Sequence, residues 1–267
     1  MKEHIILISP NTKSTVKITN GELVSYLKDD EELIHQKGNP GWRNSDTEMF
    51  PIIGPTQNNN FRVSTPKGEC IQDQHGLLRE LKYTITNRED NSCTYIKEYK
   101  ANTLIKNSKY PGKSTEAEVF WPYDFTFKKI YELTDDELFI TFEIETDNNM
   151  PFMLGYHPAF MLSGNKSEIC KSSTIEVTIP TIIKGGSTAF PVLNTNEIIL
   201  VKESGFDIKL SSEGFNNFML WTEVPNMLCI EPITQYPYNG KNELTPEMFK
   251  NSSGLEYFKV IITPFKK

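Results

Sequence analysis

Phe125-Thr-Phe-Lys-Lys-Ile-Tyr-Glu-Leu133, then Thr134-Asp135-Asp136, then Glu137-Leu-Phe-Ile-Thr-Phe-Glu-Ile-Glu145 is the stretch on which the fold turns. In its first run Phe125, Phe127, Lys129, Tyr131 and Leu133 fall on every second residue. A period of two places them on one face of a β-strand. In the second run Leu138, Ile140 and Phe142 keep the same period, while Phe139 falls between them, so this strand reads as buried on both faces. The Thr-Asp-Asp between the runs carries turn chemistry, and the pair reads as a hairpin.

The same pattern continues in both directions. Lys82–Asn87, Thr94–Tyr99, Ser173–Ile179, Glu197–Lys202, Phe206–Ser211, Asn217–Trp221, Met227–Ile230 and Glu256–Ile262 read as further short strands. Residues Gly21 to Leu27 alternate and read as a strand despite some helical propensity. Thr245-Pro246-Glu247-Met248-Phe249-Lys250 reads as one short helix, with Thr245 as N-cap and Pro246 in the first turn. Many short strands between turn residues predict an all-β chain, a sandwich or a barrel. No linker, repeat or low-complexity block interrupts the 267 residues, so residues 1–267 read as one domain.

Composition narrows the function. Lys and Arg number 28 against 35 Asp and Glu, a net charge of −7, which disfavours a phosphate-backbone partner; no nucleic acid is expected. No apolar run approaches the roughly 20 residues a membrane helix needs. The apolar stretch Ile5 to Ile8 is too short for a secretory leader, so the expected compartment is the cytoplasm. Cys70, Cys93, Cys170 and Cys229 form no C-x-x-C pair and no zinc-type spacing with histidine. They are expected to be reduced thiols, although an even count also allows two disulfides.

Titratable chemistry is sparse. Of the four histidines, His4 and His35 stand in charged or terminal contexts and are expected on the surface. His75 precedes Gly76, a residue that permits an unusual turn or a close approach. His157 stands in an apolar run, and Pro158 after it favours extended backbone. Glu231 ends the apolar run Leu228-Cys229-Ile230, where a carboxylate is costly to bury unless it is paired or used. Burial there raises its pKa toward the range of a general base. Each also has a plain structural reading: a hydrogen-bonded core histidine, or a salt-bridged glutamate at a sheet edge. Some of the many aromatic residues would suit the apolar face of a sugar if they line a cleft.

Six segments, in order, resemble one family. They are Trp42 with Met49-Phe50-Pro51-Ile52-Ile53-Gly54; Gln74-His75-Gly76-Leu77-Leu78-Arg79; Trp121-Pro122-Tyr123-Asp124-Phe125; Gly155-Tyr156-His157-Pro158-Ala159-Phe160; Leu220-Trp221-Thr222; and Cys229-Ile230-Glu231-Pro232. Together with Gly21–Leu27 they are similar to the aldose 1-epimerase (galactose mutarotase-like) family, in the branch of LacX-like proteins and hexose-6-phosphate mutarotases. The resemblance implies a β-supersandwich of large antiparallel sheets with few short helices, and mutarotation, the interconversion of α and β anomers of an aldohexose. It implies His157 as the acid that protonates the ring oxygen and Glu231 as the base that takes the C1 hydroxyl proton, set on opposite sides of the ring. His75 and Arg79 match positions at the sugar, Arg79 with a structural role open beside it. This chemistry needs neither metal nor cofactor. The expected partner is a small sugar, and the expected assembly is a monomer or a homodimer.

The chain also departs from the family pattern. Pro55 follows Gly54 where many relatives carry an arginine, and Arg62 is the candidate to replace it. Ile233 stands where a tryptophan is usual. Asp207 is the sole aspartate between Ile179 and Trp221 available as the substrate-binding aspartate. A hexose 6-phosphate substrate, a non-catalytic sugar-binding protein and a glycosidase module remain as alternatives, the last without an evident pair of catalytic carboxylates.

Overall fold

A computed structural model of the chain describes residues 4–238, 240 and 243–266. The central hairpin forms as the sequence pattern predicts. Phe125–Leu133 pairs antiparallel with Leu138–Thr146, from Phe125 opposite Thr146 to Leu133 opposite Leu138. Its inward set Phe125, Phe127, Lys129, Tyr131 and Leu133 is buried. In the partner strand Leu138, Ile140, Phe142 and Ile144 are buried, but Phe139 is only half-buried. That strand has one core face, not two: Phe139, Thr141 and Glu143 on its other side are only half-buried.

The hairpin lies in a nine-stranded antiparallel sheet. Its order is Glu176–Thr178, Ile169–Lys171, Glu197–Val201, Asp207–Glu213, Leu255–Phe265, Leu138–Thr146, Phe125–Leu133, Ser92–Tyr99 and Thr84–Arg88. A six-stranded sheet packs against it. There Phe190–Leu193, Asn217–Trp221, Met227–Ile233, Gly155–Tyr156 and Glu48–Met49 follow in order, and Ala159–Met161 also pairs with Met227–Ile233. Aromatic contacts knit the two inner faces: Phe142 to Tyr156 at 5.3 Å and Phe50 to Phe127 at 5.5 Å between centroids. A separate four-stranded sheet, His4–Ile8, Ser14–Thr19, Glu22–Lys28 and Glu31–Glu32, completes an all-β architecture of large antiparallel sheets, as the sequence predicts.

Two helix expectations change. Ser173–Ile179 contributes strand only at Glu176–Thr178, and Ile179–Ile183 forms an α-helix. Pro180 has no N–H to give to a ladder and suits a first helical turn, where the Thr178 hydroxyl accepts from the Thr181 N–H. Residues Thr245 to Lys250 make only a 3-10 turn, Pro246–Met248, because Lys250–Asn251 is already paired as a strand with Pro151–Phe152. His35 is fully buried, not on the surface. Ile34 bridges Phe160, which carries His35 under the sheet, and its Nε2 lies 2.8 Å from the Trp42 carbonyl. His4 is exposed, as expected. All four cysteines are buried free thiols. Among the described residues no helix is long and apolar enough to cross a membrane.

Lys129, the one charged member of the hairpin's inward row, is completely buried. A cation there must be paired. Its Nζ lies 2.8 Å from Asp46 and 2.6 Å from Glu48. Tyr131 and Tyr156 donate to the same Asp46 oxygen at 3.1 and 2.7 Å. Glu48 also faces Lys97, Nζ to Oε2 3.8 Å. Burial pulls Lys129 down, yet the two carboxylates outweigh it and hold its pKa above the ordinary value. Burial lifts Asp46 to about 6 against the pull of Lys129. This network pins residues 46–48, which have no periodic sequence signal of their own.

Candidate active site

Sheet register brings the candidate residues together. On the strand Met227–Ile233, Cys229 and Glu231 are two apart and share a face. Gly155 pairs with Ile233, and Ala159 pairs with Cys229. His157, midway between Gly155 and Ala159, therefore falls opposite Glu231. Pro158 interrupts the ladder at that point, and its carbonyl accepts from the Ile230 N–H at 3.2 Å. The His157 N–H turns instead to the Thr47 carbonyl, at 2.8 Å. Through that bond the ion network around Asp46 and Glu48 fixes the histidine backbone.

The result is a contact between the two side chains, His157 Nε2 to Glu231 Oε1 at 3.3 Å. Both are almost wholly buried, with side chains 7% and 2% exposed. The expectation that they stand on opposite sides of a sugar ring is corrected by this distance. A ring oxygen and a C1 hydroxyl share one carbon, so an acid and a base serving them are best placed side by side. Burial pushes the Glu231 carboxyl well above its ordinary range, with the Arg79 charge pulling the other way. Burial, then Arg79, lowers His157 to about 3. The dry site thus favours neutral forms of both, with one transferable proton between them.

Around this pair the structure places His75, Arg79 and two tryptophans. The His75 ring meets His157 edge-on, centroids 5.7 Å apart. His75 takes a left-handed backbone (φ 75°) and is followed by Gly76 at φ 69°. A Cβ on Gly76 would lie 2.2 Å from the Phe50 carbonyl oxygen, so only glycine lets this loop close on the Phe50 segment. Burial first, then Arg79, His157 and Lys109, depresses the His75 pKa. Arg79 lies in the 3-10 turn Leu77–Glu80, half-buried, and makes no ion pair among the described residues. Its charge bears on His75, His157 and Glu231 alike. Trp42 stacks on the His157 ring at 4.3 Å, and Trp221 stands edge-on to it at 6.1 Å.

A cavity of about 610 Å³ adjoins the pair without containing it. Arg79 and Thr47 line it, as do Arg43, Lys82 and Lys109. Two candidates lie elsewhere. Arg62 faces Glu69 across a hairpin, 3.9 Å away. Asp207 is buried at the start of a strand of the large sheet, where it accepts the Lys202 N–H at 2.8 Å. The sequence marks Trp42 and Trp221 as parts of family-like segments and Cys229 as a free thiol, but gives none of them a place beside His157, and it gives no sign of the Thr47 carbonyl. The strand alternation of Cys229 with Glu231 was the one signal that could have placed the thiol.

The family profile described as "Aldose 1-epimerase" matches residues 4–219 and takes in His75, Arg79 and His157, while Glu231 lies beyond its end. The chromosomal protein LacX of Lactococcus lactis subsp. lactis is 25% identical over 163 residues, 57% of this chain. That match takes in 50% of the relative, so the chain spans about half its length. Among solved structures, a galactose mutarotase-like protein from Lactobacillus casei is 17% identical with TM-score 0.78, covering 98% of this chain and 100% of that one. A galactose mutarotase related enzyme from Lactobacillus acidophilus is 18% identical with TM-score 0.73, covering 100% and 98%. At these identities the structures establish a shared fold. A profile match over most of the 267 residues, on that fold, establishes that this chain belongs to the aldose 1-epimerase family.

Proposed function

We propose that the chain is a mutarotase that interconverts the α and β anomers of a free aldohexose. The observation that carries this reading is the buried contact between His157 Nε2 and Glu231 Oε1 at 3.3 Å. Ring opening delivers a proton to the ring oxygen and removes one from the C1 hydroxyl. His157 supplies the first and Glu231 takes the second. Rotation about C1–C2 and closure on the other face return both protons. After opening, His157 is neutral and Glu231 is protonated, which is the distribution that burial favours. The open-chain stage thus needs no charge separation in a dry site. His75 and Arg79 hold the sugar hydroxyls, and Trp42 and Trp221 offer apolar faces beside the pair. A binding protein has no need of an acid touching a base.

One observation favours a second reading, a phosphorylated sugar. Arg43, Arg79 and Lys82 line the adjoining cavity and make no ion pair among the described residues. Arginine is well suited to a phosphate oxygen fork. Saturation-transfer NMR or polarimetry with glucose, galactose and glucose 6-phosphate tests both readings at once. Acceleration of anomer exchange supports mutarotation, and the ranking decides between free and phosphorylated sugar. His157→Asn and Glu231→Gln should each slow exchange by about 10²–10⁴ while sugar binding persists. Wild-type turnover in both variants would remove the pair from the mechanism.

A further inference from the structure

We infer that His157, Cys229 and Glu231 form a three-ligand site for a zinc-class divalent cation, and that a cation bound there shuts off the proton pair. A ring nitrogen of His157, Sγ of Cys229 and a carboxylate oxygen of Glu231 lie within 4.8 Å of one another, and all three residues are buried. Zinc bonds of about 2.0–2.1 Å to nitrogen and oxygen, at tetrahedral angles, place those two ligand atoms roughly 3.3–3.4 Å apart. The observed separation of Nε2 and Oε1 is 3.3 Å. The sulfur has to close from at most 4.8 Å to about 3.5 Å from the other ligand atoms, a movement that the three side chains share by turning about their own bonds.

The donor set selects the metal. Thiolate and imidazole favour Zn²⁺ or Co²⁺ over Mg²⁺ and Ca²⁺, which prefer all-oxygen shells. Charge balances as well: thiolate and carboxylate together cancel a dication, as a buried site requires. Binding releases the thiol proton and the proton held by the His157–Glu231 pair. Three protein ligands leave the fourth position to water or a sugar oxygen. Two features make the cation a reversible visitor and not a permanent resident. Arg79 sets a positive charge beside the site, and the other ring nitrogen of His157, Nδ1, has no hydrogen-bond partner to anchor it as a ligand.

The experiment titrates the metal-free full-length chain with Co²⁺ and reads the near-ultraviolet thiolate-to-cobalt charge-transfer band. One equivalent should develop the band, and Zn²⁺ should displace it. No comparable His, Cys, Asp or Glu cluster surrounds the other cysteines among the described residues, so Cys229→Ser should abolish the band. By calorimetry the same change should weaken Co²⁺ binding at least about tenfold, since loss even of a group that only orients a ligand costs about 10–100-fold. Absence of the band in the unmodified chain, where folding of a variant plays no part, would overturn the site. So would a band unchanged in a folded Cys229→Ser or Cys229→Ala chain. The inhibition alone rests on the proposed mutarotase reading. Anomer exchange should fall with Zn²⁺ over the concentrations that fill the site, and full exchange in the zinc-loaded chain would overturn the blocking. A chain that shows the cobalt band but never accelerates anomer exchange would uphold the metal site and refute mutarotation.

Discussion

Replacing Lys129 by methionine isolates the buried charges that hold the site in place. Methionine is close in length and leaves the hairpin's inward row apolar, so packing changes little. What changes is charge: Asp46 and Glu48 lose the ammonium 2.8 and 2.6 Å away, with Lys97 left at 3.8 Å from Glu48. Removing one partner from a buried ion pair costs about 3–5 kcal/mol. A 267-residue chain has a melting entropy of roughly 0.56 kcal/mol per degree, so Tm should fall by about 5–9 °C. The loss should also depend on pH. Asp46 titrates in the folded protein at about 6, above its ordinary 3.8. A carboxylate with a raised folded pKa adds stability that is fully present below its ordinary value and lost as pH rises through the folded one. Lys129 is what holds this pKa down, so in the variant it moves higher still. At about pH 5 both buried carboxyls can stay protonated in Lys129→Met, and the difference from the parent should shrink. Above pH 6 it should grow to its full size. Urea unfolding of parent and variant at about pH 5 and pH 8 measures this directly. Equal destabilisation at the two pH values would show that the loss is one of packing and refute the charge reasoning.

Three further outcomes are expected. Glu231→Gln should raise the unfolding free energy near pH 8 while removing exchange activity. Burial holds the parent carboxyl above its ordinary 4.5, so the parent loses stability as pH climbs through the folded value and the amide does not; identical pH–stability curves would contradict this. Gly76→Ala should cost at least about 3 kcal/mol in urea unfolding or abolish soluble protein, since the new Cβ meets backbone at 2.2 Å in a conformation only glycine adopts easily. Arg62→Ala should change stability by less than about 1 kcal/mol and leave sugar and sugar-phosphate affinity intact by calorimetry, because its partner is the exposed Glu69.

The hairpin was legible because nine alternating residues on each side of a turn leave one register open, and the structure keeps it. Its one odd member, Lys129, was also a legible clue: a lysine in an apolar row predicts carboxylates beneath it. Which carboxylates was not legible. Asp46 stands in irregular chain and Glu48 in a two-residue strand, some 80 residues away, and local sequence carries no trace of a bond closed through space. The strand expected over Ser173–Ile179 ends at Thr178, and the helix after it was not legible because a β-branched run hides the weight of Pro180. His35 was misread because charged neighbours along the chain say little about which strand will cover it. His157 and Glu231 could each be picked out by an apolar context that makes a titratable group costly. Their contact follows only from the pairing of Gly155 with Ile233 and Ala159 with Cys229.

That pairing joins two buried polar clusters whose costs differ in kind. Around Lys129 the charges are matched: a cation touches two carboxylates, and two tyrosine hydroxyls donate to the same oxygen of Asp46. At His157 and Glu231 they are not, and burial drives both groups toward neutrality. A satisfied network resists displacement, whereas a pair poised between two proton positions is useful only if its geometry is fixed from outside. Thr47, between Asp46 and Glu48, supplies that fixture through one hydrogen bond to the His157 N–H. Loosening residues 46–48 should therefore disturb proton transfer as well as stability. In Lys129→Met the exchange rate should fall at temperatures well below the new Tm, with sugar affinity nearly unchanged. Saturation-transfer NMR at a temperature where the variant is fully folded separates the two effects. A full rate there would show that His157 keeps its place without help from the ion network.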